Sequence, residues 1–574
     1  MTTGWRSHLL PGLTLMAVCF VVYAGTLGHG FLQNWDDAQY VVENPAIRGF
    51  SVANIAAAFT SLNVGNYAPL PILSYTLDYS LWGLDPRGYH LTNIILQGAC
   101  ATALYALLWS IYRRRDLALL AALFFAVHPV QVETVAWVSQ RKNLLAMFFY
   151  LLAALGYLVA EESGAKRWYF LSLAAFVCAL LSKSVAVVLP LFLLLLDLGA
   201  LGTRWEPRLL VNKAPYVLLA AACALAAVIT QQGSHGGGRT DFHGGGGGAT
   251  FFTMLPVFVT YLRMVVWPGG LSAVYDPPLR HSLLEPAVLG ALIFLTALFA
   301  VSLVSWRRHR ERALWFWSAA IGILPVSQLI PITTLMNDRY LYFPMIGFAA
   351  FFGCIFTSSA DTARPWLRRS AQGGALLCLI ALALVAQRRA AVWHDALSLW
   401  SDAVVKAPGN QYAHQGLAEV LERRGELERA AAEYEAAIRL DPTSAELHNQ
   451  LGVVRSRLGQ PDRAVDALRE AVRLKPGHYP FAFNLGVFCL EAGRLREARD
   501  VFIPLLTRAP ADSRVACILA GIAAKLGDGA EAGRYREQAI AGNPAEAPAL
   551  CDDFARSMGA GLPGTGRQTP PQAR

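Results

Sequence analysis

Asp36 and Asp37 stand side by side in NWDDAQYVVENPAIRG (34–49), shortly after the apolar run 9–28. Two further groups of ionisable residues sit at the margins of apolar runs. HPVQVETVAWVSQRKN (128–143) carries His128, Glu133, Arg141 and Lys142, and NDRYLYFP (337–344) carries Asp338, Arg339 and Tyr340. Lys183 lies between two more apolar runs. A carboxylate can take the proton of a hydroxyl as that hydroxyl attacks. Arginine and lysine can offset the charge that develops on a departing phosphate. Each group also has a plainer reading: the acids as a solvated turn or helix cap, Glu133 with Arg141 as a structural ion pair, and Arg339 reaching for headgroups. What favours chemistry is their coincidence on one membrane face, because ionisable residues at membrane depth are rare and mark substrate paths.

The elements that must hold them are membrane helices. The chain of 574 residues is 55% hydrophobic and only 16% charged, well below the roughly one-quarter charge of soluble domains. Apolar runs fill 9–386, while about 390–560 reads as a soluble helical region and the Pro/Gly-rich end from 561 as a disordered tail. Runs of about 20 residues are needed per span. They fall near 9–28, 91–112, 143–160, 168–183, 184–200, 214–230, 284–305, 313–330, 340–358 and 371–387, with a further span from Leu117 continuing through HPVQVETVAWV.

Loop charge arbitrates the segment 250–268. With 250–268 not spanning, eleven spans put the basic loops at 113–115, 166–167, 204–213, 307–312 and 364–369 on the inner side, as the positive-inside rule expects. Arg388 and Arg389 run against that bias. This topology places the 29–90 loop and everything after about 390 on the non-cytoplasmic face. The net charge of +9 is thereby an orientation signal and not a nucleic-acid footprint.

The soluble region repeats. Pro408, Pro442, Pro476, Pro510 and Pro544 are each 34 apart, and Gly425, Gly459, Gly493 and Gly527 keep the same step. Leu417-Ala418, Leu451-Gly452, Leu485-Gly486 and Leu519-Ala520 complete the register. A 34-residue period with small residues where helices cross is the tetratricopeptide signature; HDALSLWSDAVVKAP (394–408) fits the second helix of a capping repeat. Such arrays bind peptides or proteins along a concave face. The nine cysteines form no CxxC pair and read as small buried hydrophobes. VANIAAAFTSL (52–62) reads as an interfacial helix. The glycine-rich 231–248, with His235 and His243, lacks a phosphate-loop pattern and reads as a linker.

NWDDAQYVVENP, NYAPLPILSYTLDYSLWGLDPRGYHLTNIILQ (66–97), HPVQVETVAWVSQRKNLL and DRYLYFPMIGF, followed by the repeats, together resemble the transmembrane and tetratricopeptide-repeat protein O-mannosyltransferases. The body resembles a C-type membrane glycosyltransferase. The chain departs from that pattern at Ala68, Asn143 and Ser184, where the family usually has Arg, Asp and Glu. The resemblance implies an all-α fold: a polytopic membrane bundle over 1–389, a repeat α-solenoid over 390–560 and the tail. It implies transfer of mannose or another hexose from a polyprenyl-phosphate donor to protein Ser or Thr hydroxyls. Asp36 or Asp37 would be the catalytic carboxylate, and Arg339, Arg141 and Lys142 would hold the donor phosphate. His128, Glu133, Lys183, Asp338, Tyr340 and His90 are the other candidates. The acid pair could also hold Mg²⁺ or Mn²⁺. The implied partners are the lipid-linked donor, a protein acceptor on the repeats and the bilayer. The two-compartment layout and the absence of eukaryotic targeting signals fit a bacterial inner membrane with periplasmic repeats. Two other functions fit the sequence: transfer to a lipid or lipid-linked glycan, and a non-catalytic membrane scaffold.

Overall fold

The computed structural model describes residues 6–62, 65–233, 241–360, 365–557 and 559, and these are helical with no β-strand among them. His235, Arg364 and the whole 561–574 tail lie outside the described residues. The chain divides into two compact units, Met1–Ala407 and Pro408–Arg574. The helix Ala396–Lys406, read from sequence as part of a capping repeat, counts with the first unit.

Within the first unit, seven helices among the described residues are long and apolar enough to cross a bilayer. They are His8–Gly28, Pro86–Tyr112, Val138–Ser163, Leu209–Thr230, Gly247–Val266, Pro286–Arg308 and Arg369–Val392. Shorter apolar helices cover Ser184–Gly199, Arg312–Val326 and Met345–Thr357. Pro286–Arg308 leaves Ile293 and Val301 62% and 61% exposed, a face that suits lipid and is costly against water.

Three sequence expectations change here. Of the eleven expected spans, six fall on the long helices, whereas 184–200, 313–330 and 340–358 fall on the shorter ones and 168–183 on the 17-residue helix Lys166–Ser182. The segment 250–268, set aside in the eleven-span count, is a continuous 20-residue apolar helix that meets the same test as its neighbours. Loop charge therefore no longer fixes the sidedness of the chain by itself. The span from Leu117 is not continuous: it breaks at His128-Pro129 and bends by 54° into Pro129–Ala136. Proline cannot donate to the preceding turn and pushes its predecessor out of helical geometry; His128 is extended at ψ 130°.

The second unit is a set of paired helices, from Gln411–Arg423 with Leu427–Leu440 to Ser513–Lys525 with Gly529–Gly542, closed by Ala547–Ser557. The repeating glycines end each first helix at positive φ, +78° at Gly425 and +72° at Gly493, where other residues would be strained. At Gly486 an added Cβ would lie 2.5 Å from the Phe502 ring, which is why the crossing position stays small. One cysteine reading fails: Cys517 and Cys551, 34 residues apart, form a disulfide between the last repeat and the closing helix.

Candidate active site

The acid pair arrives on a tight loop that leads into a π-helical turn over Ala38–Val42, a geometry common at functional sites. Its two carboxylates take different partners. Asp37 is buried; one oxygen accepts from the Leu32 N–H at 2.9 Å, and the other from the Ser139 N–H at 2.9 Å and from the Ser139 hydroxyl. Burial pushes its carboxyl up to about 6, against the pull of those hydrogen bonds. Asp37 thus stitches the loop to the turn Val138–Gln140. Asp36 keeps 18% of its side chain exposed and faces Lys142, with Nζ at 3.3 Å.

Arg141 and Lys142 divide in the same way. Both open the helix Arg141–Ser163, where the helix dipole disfavours cations, and each is met by a carboxylate. The Arg141 side chain is fully buried: its Nη1 meets Asp78 at 2.5 Å, Nε donates to Asn93 at 2.9 Å, and Nη2 donates to the Tyr89 carbonyl at 2.8 Å. Its guanidinium also lies 4.6 Å from the centre of the Tyr75 ring. All three nitrogens are engaged, which leaves none for a ligand. Lys142 instead lines a cavity of about 210 Å³ together with Lys183.

That cavity has apolar walls from Leu180 on Lys166–Ser182 and Leu219 and Ala226 on Pro207–Gly233, and a polar end at Asn66, Lys142 and Lys183. Lys183 sits at the break after Ser182 and donates to Asn143 at 2.8 Å. Ala68 and Ser184 line the same cavity. The three departures from the resembled pattern therefore gather at one place, around Lys183.

The third sequence group completes the arrangement. Glu133 is buried, accepts from the Arg339 N–H at 2.8 Å and pairs with the Arg339 guanidinium, which lies 5.5 Å from both the Trp137 and Tyr340 rings. Tyr340 is hydrogen-bonded to Thr334 at 2.5 Å. Lys183 is within electrostatic reach of Lys142, Arg339, Glu133 and Asp36, so the separate stretches converge on one site. Asp338 is buried and accepts from the Tyr275 hydroxyl; burial pushes it up to about 7, with Arg389 pulling the other way.

Two candidates fall elsewhere. His128 is buried against the Val265 carbonyl at 3.0 Å, and His90 is buried with its ring edge-on to His29 at 5.7 Å. The acids do not form a cation cage, since Asp37 is consumed by Ser139 and Leu32 while Asp36 faces an ammonium; among the described residues no group of three or more His, Cys, Asp or Glu is placed to hold a metal. Sequence reading missed Asp78. Its signal was available: a lone carboxylate in the apolar stretch PILSYTLDYSLW, which has to find a cation if buried.

Residues 68–231 match the family model described as dolichyl-phosphate-mannose-protein mannosyltransferase, and 418–459 and 457–522 match models described as TPR repeat and tetratricopeptide repeat. The chain is similar to protein O-mannosyltransferases. It is 25% identical to Protein O-mannosyl-transferase F38B6.6 of Caenorhabditis elegans, across 75% of this chain and 63% of that protein. With Protein O-mannosyl-transferase TMTC1 of Homo sapiens it shares 24% identity over 71% of this chain and 53% of the relative. Identity reaches 32% with Protein O-mannosyl-transferase Tmtc2 of Drosophila melanogaster, over 32% of this chain and 21% of that one. The chain thus spans about half to two-thirds of the first two O-mannosyltransferases. Among solved structures, "YrrB: a TPR protein with an unusual peptide-binding site" aligns with 36% of this chain and 97% of its own, at 20% identity and TM-score 0.26.

Proposed function

We propose that the chain is a membrane glycosyltransferase that moves mannose or another hexose from a polyprenyl-phosphate donor to Ser or Thr hydroxyls of proteins. The observation that carries this reading is the Asp36–Lys142 pair, a partly open carboxylate whose partner also lines an apolar-walled cavity with a second lysine. The prenyl chain would lie along the apolar walls, and the phosphate would meet Lys142 and Lys183, with Arg339 nearby. Asp36 takes the proton of the acceptor hydroxyl as its oxygen bonds to the anomeric carbon. The bond from that carbon to the phosphate oxygen breaks, and polyprenyl phosphate leaves with the electron pair, its charge offset by the cations. On this reading Asp37 and Arg141 hold the machinery in place and do not touch substrate. Similarity to proteins named O-mannosyltransferases supports the reaction class, and the repeats support a protein acceptor.

The repeats are assigned to the non-cytoplasmic side of a bacterial inner membrane. The Cys517–Cys551 disulfide supports an oxidising compartment.

The test uses the purified full chain with polyprenyl-phosphate mannose and Ser/Thr peptides. Asp36→Asn should lower the transfer rate by roughly 10²–10⁴-fold; transfer at the native rate would sink the assignment. A lipid acceptor is the second reading. It is favoured by a separate apolar cavity of about 560 Å³, lined by Met254, Phe258, Leu295 and Phe348. Tyr261 on that lining accepts from the Asn337 N–H at 3.3 Å, beside the Arg339 turn. Lipid glycosylation without peptide transfer by the native chain would decide for it.

A further inference from the structure

The last long apolar helix ends in a buried arginine that the transfer chemistry does not use. Arg389 is 5% exposed. Its Nη1 donates to Asp402 at 2.9 Å, while Nη2 stops 3.7 Å from Asp338 Oδ2. Neither that nitrogen nor that oxygen has a hydrogen bond, and both are buried. Asp402 belongs to Ala396–Lys406 and is also paired with Lys406 at 2.7 Å, whose Nζ donates to the Leu271 carbonyl at 2.7 Å. The charged and titratable groups facing Asp338 include Arg389, Glu133, Tyr275, Lys406 and Tyr261, drawn from separate elements. Asp338 directly precedes Arg339.

The same helix end reaches the other half of the site through rings. The Arg389 guanidinium lies 5.7 Å from the Trp393 ring, which stacks on Trp35 at 6.3 Å with 10° between the planes and on Trp137 at 5.9 Å. Trp400, on the helix with Asp402, lies 5.0 Å from Trp35. Trp35 directly precedes Asp36, and Trp137 carries the Arg339 guanidinium. One arginine therefore bears on both the Asp338–Arg339 turn and the Asp36 loop. Burying a guanidinium with two nitrogens, Nε and Nη2, unbonded is costly, and tertiary position is the compensating gain that this site offers.

We propose that Arg389, oriented by Asp402, is a positioning residue that holds the Asp338–Arg339 turn in register with Asp36. Its effect on turnover rests on the transferase reading, whereas its effect on the turn does not. It also accounts for an arginine that ran against the loop-charge bias: Arg389 is an internal ion-pair member, not a surface charge.

Hydrogen exchange and transfer kinetics on the full chain in lipid nanodiscs test this. In Arg389→Ala, backbone amides over 337–342 and 35–38 should exchange at least about tenfold faster than native, whereas Asp36→Asn should leave 337–342 unchanged. Asp402→Asn should loosen 337–342 to a lesser degree, and Arg389→Lys should restore most of the protection. In transfer assays Arg389→Ala should lower kcat by about tenfold or more with donor KM unchanged. Its acid limb should move to higher pH, because Asp338 loses the charge that favours its ionised form; Arg389→Lys should return the limb. Native exchange over 337–342 in both Arg389→Ala and Asp402→Asn overturns the proposal, whether or not the chain transfers sugar. If Arg389→Ala does not fold, native exchange in Asp402→Asn overturns it and faster exchange there supports it. Loosened exchange with native kcat and an unmoved acid limb also overturns it, leaving Arg389 merely structural.

Discussion

In the membrane body Arg141 and Asp78 meet at 2.5 Å with side chains 0% and 3% exposed; in the repeats Arg469 and Asp466 meet at 2.9 Å with 45% and 67% exposed. The two units use charge for different ends. A buried pair pays desolvation on both partners, so its geometry has to be tight and its loss leaves an orphan charge. A pair on a water-facing helix is screened and adds little beyond solubility. Within the body the same contrast recurs between neighbours. Asp37 and Arg141 are buried among several partners, while Asp36, next to one of them, keeps 18% of its side chain exposed and Lys142, next to the other, lines the cavity. Adjacent residues of like type therefore divide into one held by several hydrogen-bond partners and one to which the proposed function gives the chemistry.

The contrast can be broken by experiment. The largest effect should separate the two acids: Asp36→Asn should cost roughly 10²–10⁴-fold in transfer while the melting temperature of the body stays native. A comparable loss in Asp37→Ser with native melting would reverse their roles. Next, Arg141→Ala should destabilise the body by about 3–5 kcal/mol by orphaning Asp78, read as lost folded protein in detergent; full recovery of well-folded protein would show the pair to be dispensable. In the repeats, Cys517→Ala should cost about 2–4 kcal/mol of repeat stability, since the bond closes a loop one repeat long. Equal melting of the repeat transition with and without reductant would contradict the disulfide.

A smaller effect is the pH dependence of Asp37. Its folded carboxyl titrates near 6, above its ordinary 3.8. Between about pH 4 and 6 the folded state therefore holds more protons than the unfolded one, and the stability contribution of this group falls as pH rises through that window. Asp37→Asn should flatten that part of the profile, and an unchanged slope would count against the buried site. Smallest of all, Asp466→Asn should change repeat stability by less than about 0.5 kcal/mol; a larger loss would mean that charge does more in the repeats than their exposure allows.

Much of the repeat unit was legible because its signal is local. The glycines at 34-residue steps sit at positive φ, and Gly486 is held small by Phe502. Six of the eleven expected spans were legible from length and hydropathy; four others fall on helices of fewer than 18 residues, and two places differ in kind. His128-Pro129 breaks a run that composition alone reads as continuous, and loop charge sets aside 250–268, although its helix, Gly247–Val266, is long enough to cross. In the site, the three stretches that sequence singled out do converge. What could not be read was the division of labour inside each doublet. Asp36 and Asp37 are chemically identical, and Ser139, brought from 102 residues away, joins Leu32 in consuming one of them. Asp78 does the same for Arg141 across the fold.

The amino-acid sequence by itself determined the two-part plan, the repeat register, the apolar helices and the set of ionisable residues at their ends, because periodicity and hydropathy act between near neighbours in the chain. Tertiary structure alone decided which acid is open and which cation is spent. It also brought Ala68, Asn143 and Ser184 together around Lys183 and closed Cys517 onto Cys551. Those outcomes depend on burial and on partners distant in sequence, and a side chain's desolvation is fixed only once the helices have packed around it.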